Sequence, residues 1–210
     1  MIENSYPALT LHFAVIRGVR VRKTRCELIK ELEEEIRRIM KIEELVSNPI
    51  IRAYRDFFWS LGVDPTKIRP SSEALVRRIL RGKSLPNINN VVDAMNVISA
   101  KTLISMSTFD LDKLSPPLKL VPAEGGEKFI DISGKEFTFT KNFPKLVDSK
   151  GKIVAAVPFR DGRDTRITES TKNVFLLAYA PSTVEEYIIK KATKEAAEVI
   201  IKCAGGKLEK

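Results

Sequence analysis

The stretch between residues 69 and 96 carries two helical patterns separated by a short loop. In SSEALVRRIL the apolar Leu75, Val76, Ile79 and Leu80 recur at i, i+1, i+4 and i+5, one buried helix face. Arg77, Arg78 and Arg81 fall on the other side. Ser71 or Ser72 is placed to cap the start, with Glu73 in the first turn, where the helix dipole favours an anion. Gly82 supplies a left-handed stop. The second helix is apolar apart from one stripe: Asn89, Asp93 and Asn96 lie at i, i+4 and i+7 among Val91, Val92, Met95, Val97 and Ile98. Asn89 alone reads as an N-cap. The stripe as a whole needs partners in the fold or a ligand, because a buried polar group without one is costly.

Before this unit, residues 9–21 (LTLHFAVIRGVRV) show a strand pattern interrupted near Gly18. Residues 27–46 predict one long amphipathic helix. Leu28, Leu32, Ile36, Ile39 and Leu45 point inward, and Glu33 with Arg37 and Glu34 with Arg38 form i,i+4 pairs in the favourable order. Asn48 and Pro49 open another helix with the stripe Ile51, Tyr54, Phe58 and Leu61, ended by Gly62. After the central unit, Ser107, Thr108, Phe109 and Asp110 read as a loop or sheet edge leading to Pro116 and Pro117. Residues 118–121 form a short strand, and residues 129–132 and 137–140 flank Ser133 and Gly134 as a hairpin. Residues 153–159 and 174–179 are near-continuous apolar runs, as in strands buried on both faces. Ser182 and Glu185 make a capping box for a last helix whose buried side is Val184, Ile188, Ala192, Ala196, Val199 and Cys203. The tail, residues 205–210, is expected to fray.

The 210 residues suffice for one large domain, or one domain with helical additions, and a real core. A hydrophobic content of 43% fits a globular chain. The net charge of +9 is unevenly spread: Lys67, Arg69, Arg77, Arg78, Arg81 and Lys83 lie within residues 67–83 against Glu73 alone. That concentration points to a polyanion partner, the competing explanation being a Lys/Glu/Arg-rich surface of the thermophile kind. Cys26 and Cys203 lack metal-ligand spacing and sit in helical patterns, so they read as reduced, partly buried thiols. His12, the single histidine, belongs to an apolar strand and reads as a core or edge residue, and zinc chemistry has no support. With no signal peptide and no membrane-length apolar run, the expected compartment is the cytoplasm.

Residues 160–173 (RDGRDTRITESTKN) join two predicted buried strands and hold four bases, three acids, Thr165, Thr168 and Thr171. Polar loops at the ends of buried strands are where sites are placed, and Arg160, Arg163 and Arg166 offer forked donors for a phosphate or carboxylate. Alternatively the loop is a charged surface segment whose Asp and Arg residues pair among themselves. Gly125, Gly126 and Glu127 form a turn rather than a phosphate cradle. There is no G-x-S-x-G, no Walker loop and no G-x-G-x-x-G, and no cofactor is expected. Hydrolysis here would depend on positioned water and oriented polar groups.

Taken in order, YRDFFWSLGVDPTKIRPSSEALVRRILRGKSLPNINNVVDAMNVIS, STFDLDKL, EGGEKFIDISGKE and RDGRDTRITESTKNV resemble the B3/B4 domain, found in the β subunit of phenylalanyl-tRNA synthetase and as freestanding small proteins. The resemblance covers residues 52–187, with a strand and helix before it and a helix after. It implies an α+β fold, a mixed β-sheet with flanking helices in a single domain over residues 1–210. In the synthetase the domain hydrolyses tyrosine mis-attached to the phenylalanine tRNA. By similarity Asn96 and residues 160–171 border a pocket for the aminoacyl adenosine, with Asn96, Asp161 and Thr171 orienting the aminoacyl group or water. Glu127, Arg160, Arg163 and Arg166 are then substrate-binding candidates, and Arg69, Arg77, Arg78, Arg81 and Lys83 are RNA contacts. The pattern departs from the synthetase where a histidine often precedes the Phe-Asp pair; Ser107 and Thr108 stand there. The implied function is hydrolysis of mischarged aminoacyl-tRNA in trans. The alternatives are a non-catalytic tRNA- or RNA-binding module, or a binding protein for an amino acid or nucleotide.

Overall fold

The strand Asn173–Pro181 divides the hydrophobic interior in two. Val174, Leu176, Ala178 and Ala180 face a layer of helices, while Phe175, Leu177 and Tyr179 face a second sheet. Neither side meets water, so the strand is apolar at successive positions instead of alternating.

The computed structural model describes residues 1–209. In chain order its elements are β1 (Ile2–Asn4), β2 (Leu9–Arg17), α1 (Glu27–Ile39), α2 (Pro49–Ser60), α3 (Ser71–Leu80), α4 (Asn90–Thr102), β3 (Ser105–Asp110), β4 (Leu118–Pro122), β5 (Lys128–Ile130), β6 (Glu136–Thr138), β7 (Pro144–Val147), β8 (Ile153–Ala156), β9 (Arg160–Asp161), β10 (Asn173–Pro181), α5 (Glu186–Ala204) and β11 (Lys207–Leu208). The fold is α+β. One antiparallel sheet has the order β11-β2-β10-β3, and a mixed sheet has the order β1-β4-β7-β8-β9, with β1 and β4 parallel. The hairpin β5-β6 docks through a phenylalanine cluster of Phe129, Phe137, Phe139, Phe143 and Phe159. Helices α1, α3, α4 and α5 cover the outer face of the β10 sheet. The other face packs on the mixed sheet, and Phe57 and Phe58 of α2 reach into that inter-sheet core.

Buried polar groups change several helix ends from the simple pattern. The helix expected over residues 27–46 stops at Ile39, and residues 44–46 form a separate 3-10 turn. Its inward face is Ile29, Leu32, Glu33 and Ile36, whereas Ile39 is exposed. Glu33 is buried: it keeps its i,i+4 pair with Arg37 at 3.9 Å and also accepts hydrogen bonds from Arg25 and from the Leu85 amide. Neither serine caps α3, whose N-cap is Pro70. Ser72 instead faces the Ser105 hydroxyl at 3.2 Å. The Ser182 and Glu185 capping box does not form. The Ser182 amide bonds the Ala8 carbonyl, and α5 begins at Glu186.

Further outcomes concern strands, the tail and the cysteines. The apolar run at residues 153–159 is a strand only to Ala156; the chain then turns, which carries Phe159 into the aromatic cluster and starts β9. Residues 107–110 belong to β3, an edge strand buried along its length. The tail expected to fray instead forms β11 on β2, fastened by Glu209 to Arg17; Lys210 lies outside the described residues. Cys26 and Cys203, expected as free thiols, are joined in a disulfide with Cα atoms 5.5 Å apart. It ties the start of α1 to the end of α5 across a separation of 177 residues. No helix among the described residues is long and apolar enough to cross a membrane.

Closing so long a loop restricts the unfolded chain, typically stabilising a fold by about 2–4 kcal/mol. Reduction, or Cys26→Ser with Cys203→Ser, is expected to lower the melting temperature by roughly 5–10 °C. Calorimetry with and without reductant checks this, and an unchanged transition would show that the bridge contributes nothing.

Candidate functional site

Two sheet edges meet at one cavity. β3 is the edge of the β10 sheet and β9 the edge of the mixed sheet, so each ends without a further strand on one side. The Ser107 hydroxyl donates to Asp161 Oδ1 at 2.8 Å and lies 3.0 Å from the Tyr179 hydroxyl. These contacts tie β3, β9 and β10 together. Gly162 holds β9 against β8: a Cβ there would lie 2.7 Å from the Val154 carbonyl oxygen, so only glycine permits the approach that sets Asp161 in place. A cavity of about 640 Å³ opens beside this junction, between α4 and residues 160–170. Its walls are largely apolar, from Val21, Ile88, Val92, Met95, Ile132 and Ile167. Asn89, Thr108, Asp161 and Thr168 add polar atoms, and Lys23, Arg166, Glu169 and Ser170 complete the lining.

Asp161 is electrostatically distinct. Burial pushes its carboxyl up to about 6, opposed only by the Ser107 hydrogen bond. Two buried carboxylates, Glu73 and Asp131, are compensated by cations. Burial also opposes ionisation of Glu73, but Arg55 at 2.6 Å and Arg77 at 2.7 Å outweigh it and bring its pKa below the ordinary value. Asp131 follows the same logic, its burial outweighed by Ser133, the Lys135 amide and Arg160. Asp93 is raised by burial and holds the Ile88 amide at 2.9 Å, but it is not part of the cavity lining. The Tyr179 hydroxyl is raised well above its ordinary range by burial and then by Asp161.

The predicted site residues separate. Asp161 and Arg166 line the cavity. Thr171 does not: its buried hydroxyl donates to Asp110 at 2.7 Å and accepts from the Thr168 amide, pinning the loop. Asn96 is half-buried on α4, lies outside the lining and makes no side-chain hydrogen bond among the described residues. Its stripe partners are structural: Asn89 caps α4 through the Val91 and Val92 amides, and Asp93 holds Ile88. Arg160 bonds Asp131 at 3.0 Å, and Arg163 lines a different depression beside Lys128 and Asp164. Glu127 closes its own turn, accepting from the Glu124 and Gly125 amides, and Lys145 at 2.7 Å draws its carboxyl down to about 2. Ser107 and Tyr179 were not singled out as site residues. Their signal was a hydroxyl at Ser105 and Ser107, every second residue of β3, and a tyrosine at the end of an apolar strand.

The basic surface also divides. Lys67, Arg69, Arg81 and Lys83 are exposed and carry no ion pair among the described residues. Arg78 is exposed and donates to the Ser84 carbonyl at 2.7 Å. Arg77, expected on the outer face, is turned inward onto Glu73. From the free cations, residues 82–89 lead directly to Ile88 and Asn89 in the cavity wall.

The raised Asp161 carboxyl makes a stability prediction. Its folded-state value near 6 lies above the ordinary unfolded value of about 3.9. Ionisation therefore disfavours the folded state: the penalty is absent below about pH 4, grows through the interval and is complete above about pH 6. Asp161→Asn keeps an acceptor for Ser107. It is expected to be more stable than the parent at pH 7.5, on the order of 2 kcal/mol, with the difference gone at pH 4. Denaturant titration at both values checks this; equal stability at pH 7.5 contradicts a desolvated carboxyl.

A family model described as the B3/4 domain matches residues 53–205. The phenylalanine–tRNA ligase beta subunit of Xanthomonas euvesicatoria is 30% identical over 125 residues, covering 59% of this chain and 15% of that protein. Its counterpart in Carboxydothermus hydrogenoformans is 28% identical over 176 residues, covering 72% of this chain and 22% of that protein. The chain thus spans less than a quarter of the length of either relative. A crystal structure of an N-terminal fragment of the phenylalanyl-tRNA synthetase beta subunit from Pyrococcus horikoshii is similar in fold, with a TM-score of 0.55 and 17% identity. The similarity covers 99% of this chain and 49% of that one. With the model matched over most of its length, this chain belongs to the B3/4 domain family, a tRNA-synthetase-related domain.

Proposed function

We propose that this B3/4 domain acts in trans on tRNA charged elsewhere, hydrolysing the ester of a mischarged aminoacyl end in the cavity beside Asp161. The observation that carries the reading is an apolar-walled cavity that holds a carboxyl without a counter-cation and adjoins free basic residues. Lys67, Arg69, Arg78, Arg81 and Lys83 supply phosphate contacts. Residues 82–89 lead the acceptor end to the cavity, and apolar walls receive the amino-acid side chain. In the reaction a water oxygen attacks the ester carbonyl carbon and the bond from that carbon to the ribose oxygen breaks. The ribose oxygen leaves with the proton released by the water, giving free amino acid and uncharged tRNA. Asp161, held by Ser107, positions the aminoacyl end. The neighbouring ribose hydroxyl helps to hold the water, so a histidine base is not required.

A second reading, an RNA-binding module without hydrolysis, is favoured by three specific facts. Asn96 lies outside the cavity lining and Thr171 is engaged with Asp110. Serine also stands at Ser107, where the synthetase pattern often has histidine.

Deacylation of tyrosyl- and phenylalanyl-charged phenylalanine tRNA separates the readings. Selective loss of tyrosine, at least about tenfold slower in Asp161→Asn, is expected; salt-sensitive binding without release of either amino acid leaves the RNA-binding reading. Among the basic residues, Arg81→Ala is expected to reduce the salt dependence of tRNA binding by nearly one counterion at unchanged stability. Arg77→Ala is expected to destabilise the fold by roughly 1–3 kcal/mol, because buried Glu73 keeps only Arg55. Equal effects of the two substitutions on stability would refute this division of the basic surface.

A further inference from the structure

The cavity has an electrical direction. Lys23 and Arg166 lie along its lining with Glu169, while Asp161 stands at the sheet junction with the Ser107 hydroxyl as its sole side-chain partner among the described residues. Lys23 pairs with Glu169 at 3.9 Å, and Val21, Ile88, Val92, Met95, Ile132 and Ile167 make the rest of the lining largely apolar. Ile88 and Ile132, both lining residues, remain 48% and 57% exposed, so aliphatic surface of the lining is open to what enters. Folding has supplied cations to Glu33, Glu73 and Asp131, each by an arginine, yet none to the carboxyl that faces this space. A desolvated carboxylate beside apolar walls is poorly compensated. The group that matches it best is one that brings positive charge and several N–H donors on an apolar body.

We propose that Asp161 is the receptor for a free primary ammonium group, so the cavity selects amines and, in the reaction proposed above, the α-ammonium of the aminoacyl ester. This rests on the deacylase reading for the identity of the ligand but not for the chemistry of the contact. Oδ1 accepts from Ser107, leaving Oδ2 to accept from the ammonium. The apolar walls enclose the amino-acid side chain, and the cationic lining at Lys23 and Arg166 is suited to the phosphate end. Asp161 then fixes the ester by its amine and takes no proton from water. A substrate whose amine is acylated loses both the charge and the donors, and the site discriminates against it.

The test uses a non-hydrolysable probe, adenosine carrying tyrosine through a 3′-amide, with its N-acetyl derivative as the comparison, each titrated calorimetrically into the full chain. The parent is expected to bind the free amine about 10- to 100-fold more tightly than the N-acetyl form. Asp161→Asn should reduce that ratio to within about twofold while leaving N-acetyl binding unchanged. Asp161→Asn is expected to melt no lower than the parent at pH 7.5, which guards against a folding defect at that position. Equal binding of the two probes by the parent, equal weakening of both by Asp161→Asn, or binding of neither overturns the proposal. Parallel deacylation assays separate it from the function above. Amine-selective binding without ester hydrolysis supports the receptor and removes the deacylase, whereas equal hydrolysis of free and N-acetylated substrates does the reverse.

Discussion

Both faces of β10 are buried, and this constraint governs the polar groups around it. Each hydroxyl, carboxyl and amide near the strand must find a partner inside the protein. Tyr54 illustrates the solution. Its hydroxyl accepts from the Ser105 amide at 2.8 Å and donates to the Tyr179 carbonyl, joining α2, the start of β3 and the end of β10. Ser72 meets Ser105 from α3, and Ser107 meets Tyr179 and Asp161. The line from Ser72 to Asp161 thus runs through the core and ends at the cavity. The last carboxyl on that line is the one without a cation.

The same requirement places polar keystones on the helices of the other side, where they hold loops. Asn90 accepts from the Arg22 amide and donates to the Arg20 and Cys203 carbonyls. It thereby holds residues 20–22, which bring Val21 to the cavity wall, against the end of α5. The disulfide fastens the same region from Cys26 to Cys203. Glu33 receives Arg25 and the Leu85 amide, locking the segment that follows α3. The wall of the cavity is therefore built on fixed backbone at both ends, and its shape does not depend on surface ion pairs, which contribute little.

Apolar periodicity made the major elements legible, because periods near 3.6 and 2 reflect burial directly. It identified β10, α2 and the hairpin β5-β6, and segment order pointed to the family before any geometry was known. Its errors occurred where a polar residue was buried. Arg77 satisfies an amphipathic pattern as an outward cation, yet Glu73 draws it inward. Glu33 forms its i,i+4 pair with Arg37, but the pattern gives no sign of the tertiary contacts from Arg25 and Leu85 that bury it. Cys26 and Cys203, 177 positions apart, offered no local spacing to pair them. Of the candidate site, Asp161 and Arg166 were recognisable from a polar loop between apolar strands. Thr171 belonged to the same loop but faces Asp110, and no one-dimensional pattern reveals which way a loop hydroxyl turns.

An uncompensated carboxyl is a poor choice for stability alone. Asparagine at 161 would accept the Ser107 hydrogen bond without any charge to desolvate, and Gly162 would still permit β9 to approach β8. Two other buried carboxyls are given cations: Glu73 has two arginines, and Asp131 has Arg160 as well as Ser133 and backbone amides, whereas Asp93 holds the Ile88 amide without one. Arg166 lines the same cavity but directs its guanidinium to the Arg163 carbonyl at 3.0 Å, leaving Asp161 unpaired. A charge kept apart from a nearby cation, beside apolar walls and at the meeting point of two sheet edges, is arranged to be completed by something that enters. Preorganisation of this kind places the energetic deficit in the empty protein and its relief in the complex. The charge requirement at Asp161 then supplies a chemical criterion for the ligand, while the apolar walls limit the shape of what accompanies it.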